Sequence, residues 1–409
     1  MKKQYFFLNE YTKLVAAERN SAIYDFSTGN IVALEPALAA ILRLAERGLP
    51  TEEIAPTIAL PATLVDELLN GVVAYGLGKF YDRRVYIERK YKPLPKDSMR
   101  SPVISRCYIE LPYSCKLECV DCRQPKIYAC ALCSKASTAG LDEHTLFDFL
   151  RRIIKLQCRS LIFRGGDPLS HLDSFVPIIA FCREQHFTEK LFVNTNATSI
   201  GEPALRVLAN YKVHPVIPFG GDNSGFISED SLSNLAKQFH ESRIDFSITL
   251  VISSHNATSV RRMRVFAEQL GAASVFATAI LSNKQEESMA AIEALGKQVM
   301  RVSGDLFYRN REYHPCLNGT IAVAADGQLR PCPLLTCESL GNVTAPRIID
   351  EIFETGALDK YWELSLSQIG KCKECAFKFG CLDCRAVEQH LTANLYGKHL
   401  CALAKEECP

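Results

Sequence analysis

No stretch of about eighteen apolar residues occurs anywhere in the chain, which excludes a membrane-spanning helix. The nine His include no HxxxH or HxH pair, so a His-based metal site is not indicated. A basic tail or stripe is missing too. Lys and Arg number 47 against 46 Asp and Glu, for a formal net charge of +1. The electrostatic footprint of a general nucleic-acid binder is therefore absent. There are no internal repeats and no low-complexity tract. Met1 to Leu8 begins like a signal peptide, but the apolar run fails at Asn9-Glu10 and again at Thr12-Lys13. That is too short for the apolar region of a secretion signal. These absences point to a cytoplasmic protein with neither nucleic acid nor membrane as partner.

What the chain has in excess is cysteine: seventeen in 409 residues. In a small secreted protein that number would suggest disulfides. Here the chain is long, mixed in composition, and groups its cysteines in close CxxC-type runs. That favours metal binding in a reducing compartment. The length predicts about two or three domains.

The most informative segment is Cys115-Lys-Leu-Glu-Cys119-Val-Asp-Cys122, a C-x3-C-x2-C run, with Arg164-Gly165-Gly166-Asp167-Pro168 downstream. Three thiolates can hold three irons of a 4Fe–4S cluster, since each iron normally takes one Cys. The fourth iron is then left open to a small molecule. Zinc is the competing reading, because Cys119-x2-Cys122 is followed by Cys130-x2-Cys133 at zinc-like spacing.

This pattern resembles the radical S-adenosylmethionine (SAM) superfamily. The resemblance implies that the open iron chelates the amino and carboxylate groups of SAM. It implies that Gly165, Gly166 and Asp167 grip the amino group from a strand end, and that Asn194 and Asn196 bind its ribose or carboxylate. A plain turn at the two asparagines is the other reading. Asp167 stands where the family more often has Glu. Asp121 stands where an aromatic residue often precedes the third Cys.

The chain divides into three sections. In residues 1–88, Tyr5 to Val15, Ser21 to Phe26 and Ile31 to Leu34 read as strands rich in aromatic and branched residues, with a turn at Ser27-Thr28-Gly29-Asn30. Pro36 to Glu46 and Thr63 to Tyr75 have helical periodicity, the second with Thr63 as N-cap, and Leu77 to Tyr81 closes as a wing. This order resembles the winged-helix RiPP recognition element, which captures the leader of a ribosomally made precursor peptide by strand addition. A winged helix used only for packing remains the alternative. Residues 89–99 form an extended, proline-containing linker.

Residues 100–305 alternate strand and helix six times. Strands are predicted at 103–111, 160–164, 190–193, 215–219, 246–252 and 275–280, with one helix capped by Asp142 and others at 175–185, 202–211, 229–241, 259–270 and 288–302. This argues for an α/β fold with a parallel sheet and helices outside. Radical SAM cores are similar, being (β/α)6 partial barrels whose chemistry sits at the C-terminal strand ends. The Gly-Gly-Asp-Pro turn, Asn194-Thr195-Asn196 and Gly220-Gly221-Asp222 fall there.

Residues 306–409 carry Cys316, Cys332, Cys372-x2-Cys375-x5-Cys381-x2-Cys384 and Cys401. The run resembles the SPASM extension of peptide-modifying radical SAM enzymes, a small iron–sulfur domain. Two residues rather than the usual three separate its last two Cys. The resemblance implies two auxiliary 4Fe–4S clusters, three in all. One would take Cys316, Cys332 and Cys384, with its fourth site closed by Cys337 or Cys408 or left open. The other would take Cys372, Cys375, Cys381 and Cys401. Cys107, Cys158 and Cys182 read as core thiols. Cys130 and Cys133 have no assigned role.

The mechanism so implied starts with an external flavodoxin- or ferredoxin-type electron donor. Reduced cluster cleaves SAM to methionine and a 5′-deoxyadenosyl radical, which abstracts hydrogen from the substrate. Cys115, Cys119 and Cys122 carry this catalysis. The leading expectation is an oxidoreductase that installs a thioether or carbon–carbon crosslink in a precursor peptide. A formylglycine-forming maturase, a small-molecule dehydrogenase, a peptide epimerase and a zinc-stabilised scaffold stay as alternatives.

Overall fold

The computed structural model describes residues 3–92, 104–115, 140–221, 224–281, 284–296, 300–398 and 401. Its centre is a run of six parallel strands laid side by side in chain order: β6 (Arg106–Glu110), β7 (Ser160–Arg164), β8 (Lys190–Asn194), β9 (Val213–Phe219), β10 (Ser247–Ile252) and β11 (Ser274–Ala279). Five strands precede them and belong to the N-terminal unit, described below. Helices follow each of the six: α4 (Glu143–Lys155), α5 (Leu172–Glu184), α6 (Glu202–Asn210), α7 (Glu229–Glu241), α8 (Val260–Gln269) and α9 (Gln285–Leu295). Strands covered on both faces read as continuous apolar runs, and β7 and β10 are buried at every position.

Local chemistry sets the helix starts. Asp142 accepts the Thr145 backbone N–H at 2.9 Å, capping α4 as its sequence predicts. Leu146, Phe149, Leu150 and Ile153 then turn one buried face to the sheet. The helix expected at 288–302 is shorter and earlier, ending before Gly296. A second helix, α10 (Gly304–Glu312), starts at a Ser303 cap.

The sheet continues beyond β6 with three strands from the C-terminal section. β12 (Thr320–Val323) pairs parallel to β6, β13 (Gln328–Arg330) antiparallel to β12, and β14 (Gly341–Asn342) antiparallel to β13. The result is one nine-stranded, mostly parallel sheet. The chain continues through α11 (Ile348–Glu354), α12 (Asp359–Trp362) and α13 (Arg385–Thr392). Tyr108 on β6 and Phe276 on β11 line one cavity of about 1360 Å³. Strands five places apart can share a lumen only if the sheet curls around it, as in an open barrel.

The N-terminal unit holds β1 (Tyr5–Leu8), β2 (Thr12–Ala16), β3 (Ser21–Asp25), β4 (Ile31–Leu34), α1 (Pro36–Glu46), α2 (Thr51–Thr57), α3 (Ala62–Ala74) and β5 (Gly78–Tyr81). The strand expected from Tyr5 to Val15 is two strands. Asn9 breaks it: its side-chain oxygen accepts from the Tyr11 N–H and its amide donates to the Gly76 carbonyl. β1 then pairs with β5, while β2, β3 and β4 form a separate antiparallel sheet. Thr63 is not a cap, because α3 begins one residue earlier, after Pro61.

This unit is anchored to the C-terminal section. Tyr24 and Phe26 pack with Phe307, Phe377 and Phe379. The Tyr24 hydroxyl donates to the Ala376 carbonyl at 2.7 Å, and Asn20 accepts the Ala376 N–H at 2.6 Å. The start of the expected linker is tied down as well. Arg89 donates to the carbonyls of Leu8, Asn9 and Thr12, and Tyr91 meets Phe26 edge-on. Among the described residues, no helix is long and apolar enough to cross a membrane.

Candidate functional site

The C-terminal ends of β6, β7 and β8 converge on Cys115. After β6 the chain keeps its ladder partner for one more step, the Leu111 N–H donating to the Arg164 carbonyl at 2.7 Å. The turn after β7 then nests against the segment leading to Cys115. Gly165 and Gly166 both have positive φ, 109° and 53°. A Cβ at Gly165 would stand 2.0 Å from the Leu111 carbonyl oxygen, and one at Gly166 2.0 Å from that of Tyr113. The close backbone approach that these glycines allow is thus made to the chain that carries Cys115. The Asp167 N–H closes the nest by donating to the Ser114 carbonyl at 3.1 Å.

Asp167 is wholly buried. One carboxylate oxygen accepts the Thr195 hydroxyl at 2.6 Å, and the other has no hydrogen-bond partner among the described residues. Burial raises its pKa above the usual carboxylate range, opposed by the Thr195 hydrogen bond. Asn196 donates to the Cys115 sulfur at 3.0 Å and is itself fixed by the Thr198 N–H and hydroxyl. Asn194, the last residue of β8, is buried and lines the barrel lumen. The structure therefore brings Cys115, Gly165, Gly166, Asp167 and Asn196 together, with Asn194 alongside. Cys119, Cys122, Asp121, Cys130, Cys133, Asp222 and Cys408 lie outside the described residues.

Two members of this site have no role assigned from the sequence. Thr195 orients the Asp167 carboxylate. His171 stacks on Tyr113 with ring centres 4.9 Å apart, and its Nε2 lies 3.1 Å from the Ser114 hydroxyl. It latches the two loops from the side. The available signal was Ser170-His171, one residue after the Gly-Gly-Asp-Pro turn.

These residues suit a cationic, amine-bearing ligand beside a metal-bound thiolate. A buried carboxylate oxygen without a donor is costly, and an ammonium would satisfy it. An N–H aimed at a Cys sulfur suits a thiolate held by iron, whose potential such bonds tune.

The cysteines of the C-terminal section fall in two groups. Cys372 and Cys375 share a short 3-10 turn, and Cys381 packs against the same apolar cluster as Cys372. Burial pushes the thiols of Cys372 and Cys381 up to about 12, and the charges of Asp383 and Cys401 push the same way. Only a bound metal would hold such thiols deprotonated. Cys316, half-buried, lies two residues after His314, whose Nδ1 accepts the N–H groups of Cys316 and Leu317 at 3.0 Å each. The other ring nitrogen of His314 is 3.6 Å from Asp383, beside Cys384. Cys332 is buried, and Cys337 and Cys384 are exposed.

Asp383 is the hub between these groups. Burial opposes its charge, but Lys398 (2.6 Å), His314 and Arg385 outweigh that and hold the carboxyl well below its usual range. Among the described residues no three His, Cys, Asp or Glu side chains converge on a point that could hold one metal ion. A four-iron cluster binds each thiolate through a different iron, so its ligands need not converge in that way.

No protein-family model matches the chain, and no curated protein matches it. Solved structures do. Native anSMEcpe with bound AdoMet aligns with a TM-score of 0.51 at 21% identity, over 70% of this chain and 90% of that one. The anSMEcpe structure with bound AdoMet and Cp18Cys peptide gives 0.52 at 20%, over 70% and 90%. Streptococcus suis SuiB bound to its precursor peptide SuiA gives 0.52 at 14%, over 97% and 99%. At such identities the likeness is one of fold, and this chain shares that fold.

Proposed function

We propose that this chain is a radical SAM enzyme, an oxidoreductase that modifies a ribosomally made precursor peptide. The observation that carries the reading is the meeting of Cys115, Asn196 and the half-paired Asp167 carboxylate at neighbouring strand ends. Cys115, Cys119 and Cys122 would hold the cluster. Asp167 and the carbonyls of the Gly165–Gly166 turn would take the ammonium of SAM, and Asn194 its ribose or carboxylate. When bound, the pair supplies reductive cleavage of SAM and hydrogen-atom abstraction from the substrate. The residues of this chain orient both ligands, and the enclosing strands keep water from the reacting atoms.

Cys316, Cys332 and Cys384 would hold one auxiliary cluster and Cys372, Cys375, Cys381 and Cys401 the other. Two auxiliary clusters favour a net oxidation, a thioether or carbon–carbon crosslink, with electrons entering from a flavodoxin- or ferredoxin-type donor. The N-terminal unit would capture the leader as an added strand, since among the described residues no strand pairs with the outer edges of β2 and β4. A match over 97% of the chain takes in this unit, and that relative is a structure with a bound precursor peptide.

The test is anaerobic incubation with SAM, a reductant and the peptide encoded beside this chain, followed by mass spectrometry. A product lighter by two hydrogen atoms is expected. An unmodified peptide with SAM consumed would instead favour a small-molecule substrate.

A further inference from the structure

The join between the N-terminal unit and the C-terminal section carries one contact that holding the two together does not require. It lies at the β2–β3 hairpin, whose turn is closed by the Ala17 N–H donating to the Asn20 carbonyl at 3.0 Å. Three hydrogen bonds to backbone groups fix this hairpin on the Glu374–Ala376 segment. The Arg19 N–H donates to the Glu374 carbonyl at 3.1 Å, the Asn20 side-chain oxygen accepts the Ala376 N–H at 2.6 Å, and the Tyr24 hydroxyl donates to the Ala376 carbonyl at 2.7 Å.

The other polar atom of the Asn20 side chain meets a sulfur. Its Nδ2 donates to the Cys375 Sγ at 3.7 Å. The amide can only face this way, because the Ala376 N–H needs an acceptor and takes the oxygen. Asn196 makes the same kind of bond to Cys115 at 3.0 Å. Asn20 and Cys375 are both half-buried, which limits competition from water.

A neutral thiol is a weak acceptor. A thiolate held by iron carries charge, and donors make stronger bonds to charged acceptors. Reduction adds one electron to a cluster and with it negative charge on the ligand sulfurs. An N–H aimed at such a sulfur therefore favours the reduced state and raises the reduction potential. The neighbouring bonds of Arg19 and Tyr24 end on carbonyls and lack that effect.

We infer that Asn20 is a positioning residue for the auxiliary cluster of Cys372, Cys375, Cys381 and Cys401: the N-terminal unit supplies an N–H that orients the Cys375 thiolate and raises the potential of that cluster. This rests on the reading of those four cysteines as ligands. It adds that a group acting on the cluster comes from 355 residues away in the chain, on the unit proposed to hold the leader. The electron affinity of the cluster then depends on how that unit is seated.

The test is a redox titration, followed by electron paramagnetic resonance, of reconstituted full-length protein in which Cys115, Cys119 and Cys122 are replaced by Ala. That background silences the SAM-binding cluster and leaves two auxiliary signals, one of them an internal reference. Asn20→Ala removes the donor, while Arg19 and Tyr24 still hold the hairpin. It should lower the ratio of reduced to oxidised cluster roughly five-fold, the worth of one net hydrogen bond. At about 59 mV per tenfold for one electron, one auxiliary potential falls by about 40 mV and the other stays in place. Asn20→Asp keeps the acceptor for the Ala376 N–H and puts a charge where the donor was. It should shift the same potential further in the same direction, and it decides the matter if Asn20→Ala fails to fold. Tyr24→Phe loosens the same join without removing a donor to sulfur, and should leave both potentials unmoved. An unmoved potential in folded Asn20→Ala, an unmoved potential in Asn20→Asp, or an equal fall in Tyr24→Phe would each overturn the proposal and leave the clusters standing. A background protein that takes up no iron would overturn the auxiliary-cluster reading and this proposal with it.

Discussion

Asp167→Asn should make the protein more stable and worse at binding SAM. The wild-type carboxylate is wholly buried, with one oxygen bonded to Thr195 and the other unpaired among the described residues. Asn keeps the shape and the acceptor for the Thr195 hydroxyl, and it removes a charge that burial penalises. An unpaired buried charge costs more than an unpaired amide, so the ligand-free variant should gain on the order of 1 kcal/mol at neutral pH. The sign of the pH dependence follows from the raised pKa. The carboxyl's contribution to wild-type stability is complete below its unfolded value of about 3.9 and is lost as pH rises through the higher folded value. The gap between variant and wild type should therefore open with rising pH. For SAM the effect reverses. A hydrogen bond to a charged partner is worth about 1.5–3 kcal/mol, so affinity should fall roughly 10- to 150-fold. Urea titrations of ligand-free protein from pH 5 to 8, and calorimetric SAM titrations of reconstituted protein, read both sides. A destabilised variant with a pH-independent gap, or unchanged SAM affinity, would refute the reasoning.

Replacing Cys115, Cys119 and Cys122 together by Ala should abolish 5′-deoxyadenosine formation while leaving peptide binding intact, as read by chromatography and calorimetry. Asp383→Ala should cost about 3–5 kcal/mol in denaturant unfolding, because it strands the buried Arg385 and Lys398 charges. The Asp383 contribution is present above about pH 3.9 and lost as the pH falls through its depressed folded value. Phe307→Ala should cost about 3–5 kcal/mol and loosen the N-terminal unit, visible as faster proteolysis near Tyr91.

The barrel was legible because its strands are buried on both faces and its helices are amphipathic, so each leaves an apolar pattern of its own period. β7 and α7 fall at the predicted residues for that reason. The N-terminal unit was less legible. Asn9 cuts a continuous β-prone run through its own side-chain bonds, and α2 carries Pro56 within a helix of seven residues. The strands β12 to β14 are two to four residues long, too short to show a period. Of the candidate site, the motif residues were readable because their types are unusual. The roles of Thr195 and His171 were not, since a hydroxyl or a lone imidazole in a strand or turn carries no signal until its partner is placed. The pairing of Asn20 with the Cys375–Ala376 segment is likewise a fact of tertiary structure alone.

The central claim is tested most directly by anaerobic reconstitution with iron and sulfide, addition of SAM and dithionite, and quantification of products without any peptide. The account predicts an iron-loaded, brown protein with about twelve irons per chain from three four-iron clusters. It also predicts 5′-deoxyadenosine and methionine in equal amounts. Zinc in place of iron, or an iron-loaded protein that leaves SAM intact, would contradict it.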